Sequence, residues 1–286
     1  MVPRLADSAL LALLAEDTPF GDLTTDSLDI GARPGRLVMR ARAPMVLCGV
    51  EEAVRLCQLT GAEARAHHAS GDRIAADTVV LSAEGSAASL HLAWKVAQTL
   101  MEYASGIASA ARLMVDAARA ENPAAMVATT RKAFPGTRAL AMRAAQAGGA
   151  IPHRLGLSET LLVFAEHRAF LDPGERAGHL AALRARCPER RLVVEVCGDE
   201  EARAAALAGA EVLQLERFSP ADVAALAAWL AATPAAAGVT LAAAGGVTPE
   251  NAGAYVRAGA RVLVTSAPYF AKPKDIKVVI EALPAL

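Results

Sequence analysis

Two stretches in the second half of the chain repeat one pattern. Ala208-Gly209-Ala210-Glu211-Val212-Leu213-Gln214-Leu215-Glu216 and Ala258-Gly259-Ala260-Arg261-Val262-Leu263-Val264-Thr265-Ser266 each stop a helix-forming run at glycine and begin a strand-like run at once. Successive βα units of a barrel produce such recurrence, because glycine ends the helix and the next buried strand follows without a long loop. Strand-like runs recur at Met126–Thr129 and at 160–164, 191–196, 211–215, 239–243 and 261–265, with helical segments between them. Ser219-Pro220-Ala221-Asp222 supplies one helix with an N-cap and proline at its first position. Alternation of this kind implies a parallel sheet with crossover helices. No G-x-G-x-x-G follows any strand, and repeated right-handed βα units close more naturally into a barrel than into an open dinucleotide-binding sheet. The expected fold class is α/β, with a barrel of about six strands.

The first third reads differently. Ser8 is expected to cap a short amphipathic helix closed by Pro19 and Gly21, with residues 21–26 as a polar turn. Residues 36–50 read as two strands broken at Pro44, 51–59 as a helix and 78–82 as a strand. This is an N-terminal α+β domain with an antiparallel sheet, and nothing in it has the look of a catalytic motif. A long helix from His91 to about Tyr103 is expected to end near Ser105-Gly106, with a second helix running on to about Ala120.

Charge narrows the function classes. The chain has 29 Lys and Arg against 30 Asp and Glu, a formal net charge of −1, which argues against general nucleic-acid binding. The four cysteines, Cys48, Cys57, Cys187 and Cys197, show neither CxxC nor paired metal spacing, as expected of reduced thiols in a cytoplasmic protein. The N-terminal residues lack a signal peptide's apolar core. The longest apolar run, 223–232, is far shorter than the roughly 20 residues of a membrane helix. A soluble protein with no membrane partner is expected.

Against that balance, residues 131–154 gather Arg131, Lys132, Arg138, Arg143, His153 and Arg154 with no acidic residue among them. A solvated basic face would read the same way. Arg131 and Lys132, however, sit just past a strand's C-terminal end, where α/β folds place active-site loops. Guanidinium forks, an ammonium and an imidazole suit carboxylate or phosphate oxygens. The ends of the other strands add His167, Glu195, Glu216, Gly245-Gly246 and Thr265-Ser266. Glu195 and Glu216 are carboxylates in apolar strands, where ionised groups are costly unless paired. Each is either a structural partner of an arginine or a ligand for sugar hydroxyls and, directly or through water, Mg²⁺. Ala244-Gly245-Gly246-Val247-Thr248-Pro249 is a candidate phosphate cradle, with glycines that let N–H groups approach an anion and a helix starting near Pro249. Thr265, Ser266 and Ala267 would complete it, as loops after the last strands do in barrels. His67, His68, His91 and His179 are expected to be solvent-facing, and His167 reads equally as structural or functional.

Taken together, Glu16-Asp17 with Gly21-Asp22-Leu23-Thr24, Ser105-Gly106-Ile107-Ala108, Thr130-Arg131-Lys132 with Pro135-Gly136, Gly148-Gly149 with His153-Arg154, Glu195-Val196, Phe218-Ser219-Pro220 and Gly245-Gly246-Val247-Thr248 resemble the quinolinate phosphoribosyltransferase (nicotinate-nucleotide pyrophosphorylase) family over nearly the whole chain. The resemblance implies an open six-stranded barrel with the α+β domain ahead of it, at least a homodimer, in which each site faces the neighbouring subunit's N-terminal domain. Residues 1–104 would form the N-terminal domain, 105–270 the barrel, and 271–286 a segment returning to the first domain. The implied reaction joins a pyridine dicarboxylic acid to 5-phosphoribosyl 1-diphosphate with Mg²⁺, releasing diphosphate and carbon dioxide. Arg131, Lys132, His153 and Arg154 would hold carboxylates and diphosphate, Glu195 and Glu216 the ribose and metal, and the loops at 244–246 and 265–266 the 5-phosphate.

Several positions depart from that pattern. The arginine that the family donates across its dimer aligns with Lys95, and a family lysine aligns with Phe164. The Asp-Asn before Phe218 is Glu216-Arg217, and Glu-Ala-Ser-Gly-Gly is Ala242-Ala243-Ala244-Gly245-Gly246. Lys95 keeps charge but loses a bidentate fork, and Phe164 removes a cation. With Trp94-Lys95, Gly156-Leu157-Ser158-Glu159 and the stretch 265–273, these features resemble the ModD subgroup, which is associated with molybdenum transport. Phosphoribosyl transfer to a quinolinate-like acid is thus the expected activity. The alternatives are true quinolinate phosphoribosyl transfer, a non-catalytic binding protein linked to molybdate transport, and a barrel aldolase using Lys132 as a Schiff base.

Overall fold

Along Pro34–Ala41 the buried positions alternate: Leu37, Met39 and Ala41 face a core while Arg36 and Arg40 face out. That strand, β1, is followed by β2 (Met45–Val46), β3 (Glu63–Ala66), β4 (Arg73–Ile74) and β5 (Val79–Ser86), then β6 (Met126–Thr129), β7 (Ile151–Pro152), β8 (Leu161–Val163), β9 (Leu192–Val196), β10 (Val212–Glu216), β11 (Thr240–Ala244), β12 (Val262–Thr265) and β13 (Ile276–Ala282). The computed structural model describes residues 3–284 apart from 173 and 175. Contacts divide the chain into two units, one of residues 1–112, 133–149 and 268–286, the other of 113–132 and 150–267. Residues 285 and 286, the end of the expected returning segment, lie outside the described residues.

In the first unit β13-β1-β5-β3 form an antiparallel sheet, so the C-terminal strand pairs with β1. Leu37, Met39, Leu56, Leu81, Leu90 and Met101 fill one core beneath it. Four local expectations need correction. The first helix starts at Asp7 with Ala6 at its N-cap and no side-chain cap, so Ser8 lies inside it. Residues 21–26 are not simply a turn: Asp22 caps a short helix, Leu23–Ser27, by accepting the N–H groups of Thr24 and Thr25. The two helices expected around Gly106 are one 35-residue helix, Ala87–Glu121. Gly106 does not break it, because a helical glycine costs only about 1 kcal/mol relative to alanine and Ala104, Ala108, Ala110 and Ala111 favour the helix. Its missing side chain serves a close approach instead: a Cβ there would lie 2.5 Å from the Lys272 carbonyl oxygen. His91 is also not free in solvent; its Nδ1 lies 2.7 Å from Thr25 Oγ1.

The second unit holds a parallel sheet in the order β7-β6-β12-β11-β10-β9-β8. Neighbours follow chain order round the sheet, and its two ends, β7 and β8, do not pair, so the barrel is open. The six expected strands are all present, joined by a seventh, β7, whose two residues include a proline and give no periodic signal. Both AlaGlyAla repeats behave as expected, with Gly209 (φ 92°) and Gly259 (φ 109°) in the left-handed conformation that ends a helix. Ser219 caps Pro220–Ala231 by accepting the Asp222 N–H, with Pro220 at the first position.

Candidate active site

All strands of the second sheet run in parallel, so their C-terminal ends meet at one end of the barrel. A cavity of about 490 Å³ opens there. Arg131 and Lys132 enter it after β6, His153 and Arg154 after β7, and Phe164 after β8; Glu195 comes from β9, Glu216 and Arg217 from the end of β10. Ala244, Gly245 and Gly246 follow β11, and Thr265, Ser266 and Ala267 follow β12. The structure therefore brings together the expected site residues except Lys95 and His167. That lysine belongs to the first unit, where it borders a separate apolar cavity of about 780 Å³ with Glu16, Asp17 and Tyr103. Its Nζ lies 4.8 Å from the Trp94 ring centroid and donates to Gln98 Oε1 at 3.1 Å.

The cationic side of the cavity is partly desolvated. Arg154 is only 6% exposed. Burial, and then the charge of Arg131, press its pKa down, although a guanidinium stays protonated. Its Cζ lies 5.5 Å from the Phe164 ring centroid. Burial, and then Arg154, also lower the His153 pKa, which favours neutral imidazole near neutral pH. The His153 N–H donates to the Thr129 carbonyl at 2.9 Å, tying the second cationic pair to the strand that carries the first.

The carboxylate side behaves oppositely. Burial raises the Glu195 pKa, and the nearby charge of Glu216 adds to it, against a hydrogen bond from Gln214 and the charge of Lys132. Gln214 Nε2 donates to Glu195 Oε2 at 2.6 Å from the paired position on β10. The structural reading of Glu195 as an arginine's partner is thereby corrected: its side chain meets an amide, while Arg168 donates to its backbone carbonyl at 2.9 Å and pairs with Glu201 instead. Glu216 has Arg217 at 3.7 Å, a side chain that is 85% exposed. Arg217 holds φ 59°, and its N–H donates to the Ala244 carbonyl at 2.8 Å.

Between the two sides runs the glycine loop. Gly245 and Gly246 have φ of 76° and 84°, a conformation open to glycine and strained for other residues. Thr248 caps the helix Pro249–Arg257; its N–H donates to Asn251 Oδ1 at 2.8 Å, and Asn251 Nδ2 donates to the Gly246 carbonyl at 2.9 Å. Thr265 Oγ1 donates to the Val247 carbonyl at 3.3 Å and accepts the Ala267 N–H at 3.1 Å. These bonds fix the two loops on one another, and residues of both line the cavity.

His167 stands outside the cavity. Its Nδ1 accepts the Phe164 N–H at 3.0 Å and its ring stacks on Phe164 at 5.7 Å, which makes its role structural. Gln214 was missed in the sequence, although a lone amide in Leu213-Gln214-Leu215 is the same signal that singled out Glu195. Among the described residues no group of three or more His, Cys, Asp or Glu could hold a metal ion. No helix of the described residues is long and apolar enough to cross a membrane.

The family models for the quinolinate phosphoribosyl transferase N-terminal and C-terminal domains match residues 22–105 and 107–279. The chain belongs to the quinolinate phosphoribosyl transferase family. It is 54% identical over 255 residues to the ModD pyrophosphorylase of Rhodobacter capsulatus, covering 89% of this chain and 97% of that one. A carboxylating nicotinate-nucleotide pyrophosphorylase of Archaeoglobus fulgidus is more distant, at 32% over 233 residues, 82% of this chain and 87% of the other. The structure of the nicotinate-nucleotide pyrophosphorylase of Francisella tularensis superposes with a TM-score of 0.88 at 20% identity, over 98% of this chain and 99% of that one, which bears on the fold.

Proposed function

We propose that the protein transfers the phosphoribosyl group of 5-phosphoribosyl 1-diphosphate to a quinolinate-like aromatic or heteroaromatic acid, releasing diphosphate. One observation carries this reading: a single cavity collects Arg131, Lys132, His153 and Arg154, the acceptors Glu195 and Glu216, and the Gly245-Gly246 loop. Membership of the family and the likeness to ModD pyrophosphorylases support it. The anion of the acceptor acid lies with Arg131, His153 and Arg154, and the departing diphosphate with Lys132 and its neighbours. Fixed cations there stabilise negative charge as the bond to the sugar carbon breaks, and the glutamates favour the positive character left on the ribose. The 5-phosphate takes the N–H groups of residues 244–246 and 265–266.

Mg²⁺ fits the residues present. Two carboxylates, with no group of three or more such ligands among the described residues, suit an ion bound through one or two carboxylates plus substrate phosphates. Glu195 and Glu216 would hold it, and when bound it supplies neutralising charge to the diphosphate. We further place the protein in the cytoplasm as a homodimer, with Lys95 of each copy reaching the other copy's site, and in the service of molybdenum transport. Phe164 stands where quinolinate-type enzymes carry a cation, which favours an acceptor other than quinolinate over the NAD-pathway reaction.

The test is diphosphate release from 5-phosphoribosyl 1-diphosphate over a panel of pyridine and benzene carboxylic acids, beside calorimetric titration of each compound. Release with at least one acid is expected. Tight binding of the diphosphate compound with no release across the panel would favour a binding protein.

A further inference from the structure

Gln214 carries an inference that rests on the reading above and deepens it. On β10 it shares a face with Glu216, one layer further into the barrel, because strand side chains alternate. It lines the cavity and is 5% exposed. Its Nε2 donates to Glu195 Oε2 at 2.6 Å, while its Oε1 is enclosed and accepts no hydrogen bond. Turning the amide over would set its carbonyl oxygen against the Glu195 carboxylate, acceptor against acceptor, so the nitrogen is the atom that faces Glu195.

A half-satisfied amide between the buried Leu213 and Leu215 weakens a barrel wall relative to an apolar side chain of similar size. Fold stability therefore does not account for Gln214, and its bond to Glu195 does. The loops after β6 and β7 present cations, whereas β9 and β10 present carboxylates that accept hydrogen bonds. Besides the metal ion proposed above, the ligand groups that complement such acceptors are hydroxyls.

The geometry points to Gln214 as a positioning residue that aims the Glu195 carboxylate at one hydroxyl of the bound ribosyl phosphate. Recognition of that hydroxyl then depends on a side chain one step behind the contact.

Gln214→Met keeps the volume and removes the amide. Wild type and variant are titrated calorimetrically with 5-phosphoribosyl 1-diphosphate and with its 2-deoxyribosyl and 3-deoxyribosyl analogues, and their thermal denaturation is compared. Wild type is expected to prefer the parent compound over one analogue by roughly tenfold, the worth of one charge-assisted hydrogen bond. The Met variant is expected to lose that preference with Tm unchanged or higher. Gln214→Glu, which sets a carboxylate against Glu195, is expected to lose it too. A Met variant that discriminates as wild type does overturns the assignment. So does an equal loss of affinity for all three compounds together with a lower Tm, which marks a structural role. Wild type that binds none of the three overturns the phosphoribosyl reading itself, so the two failures are told apart.

Discussion

Arg154 lies with its guanidinium carbon 5.5 Å from the centroid of the Phe164 ring, inside the cavity at the end of β8. The ring covers a desolvated cation on one side. On the proposed reading it also fills the place where a second cation would clamp a second carboxylate. Phe164→Lys should therefore raise kcat/KM for quinolinate, by roughly tenfold or more if one charge-assisted hydrogen bond is gained. The exchange also loses a cation–π contact worth about 1 kcal/mol and sets like charges together, so Tm should fall by a few degrees. Steady-state rates on quinolinate and its monocarboxylic analogues check this. A variant that stays folded and active on another acid but gains nothing with quinolinate removes Phe164 from the account of acceptor choice.

Arg131 leaves β6 half-buried at the cavity edge and is close enough to depress the Arg154 pKa. Two guanidinium groups at such range repel unless an anion lies between them, so an acceptor carboxylate is stabilised by both. Arg131→Ala should raise the acceptor KM about tenfold to a hundredfold, from the loss of roughly 1.5–3 kcal/mol of charge-assisted bonding. Affinity for 5-phosphoribosyl 1-diphosphate, read by calorimetry, should move far less. Unchanged turnover in this variant would end the proposed acceptor site.

Gly245 and Gly246 make a paired comparison. Both hold positive φ, but a Cβ at Gly245 would lie 2.5 Å from Glu216 Oε1, whereas one at Gly246 would meet nothing within 4 Å. Gly246→Ala should cost only the backbone strain of about 1 kcal/mol. Gly245→Ala should cost more and displace Glu216 as well, lowering both Tm and affinity for 5-phosphoribosyl 1-diphosphate. Identical behaviour of the two variants would show that Gly245 does not shape the carboxylate side.

The parts legible in the sequence were those that repeat or that break a pattern. The AlaGlyAla boundaries at 208–210 and 258–260 gave the βα rhythm, and carboxylates inside apolar strands gave Glu195 and Glu216. Short elements escaped: Ile151–Pro152 spans two residues, too few for any period to register. Gly106 misled because a helical glycine signals a stop in the sequence, whereas here it admits the Lys272 backbone, a partner far away in the chain. Segment 133–149, which follows β6 in the chain, groups with the first unit through pairs such as Arg143 with Glu51 and Glu52, and no local pattern announces a tertiary ion pair.

That ion cluster should set the acid limit of the first unit. Arg143 Nη2 meets Glu51 Oε2 at 2.9 Å and its Nε lies 2.9 Å from Glu52 Oε1, with Ser70 donating to Glu51 from both its N–H, at 2.9 Å, and its hydroxyl, at 2.5 Å. Burial by itself would raise the Glu51 pKa, but the Ser70 and Arg143 hydrogen bonds outweigh it and hold it below the usual glutamate value. A carboxyl whose pKa is lower folded than unfolded adds stability that is fully present above its unfolded pKa, about 4.3. That stability is lost as pH falls through the folded value. Ser70→Ala should therefore lower Tm most at pH 7, and its deficit should shrink as pH falls from about 5 towards 3, across the glutamate range. A constant remainder belongs to the Gly49 N–H, which loses the Ser70 hydroxyl as its acceptor at every pH. Arg143→Met should be worse, by about 3–5 kcal/mol at neutral pH, because it leaves two enclosed carboxylates unpaired. Thermal melts of the three proteins at pH 7, 5, 4 and 3 decide it, and a Ser70→Ala deficit independent of pH would sink this explanation of acid stability.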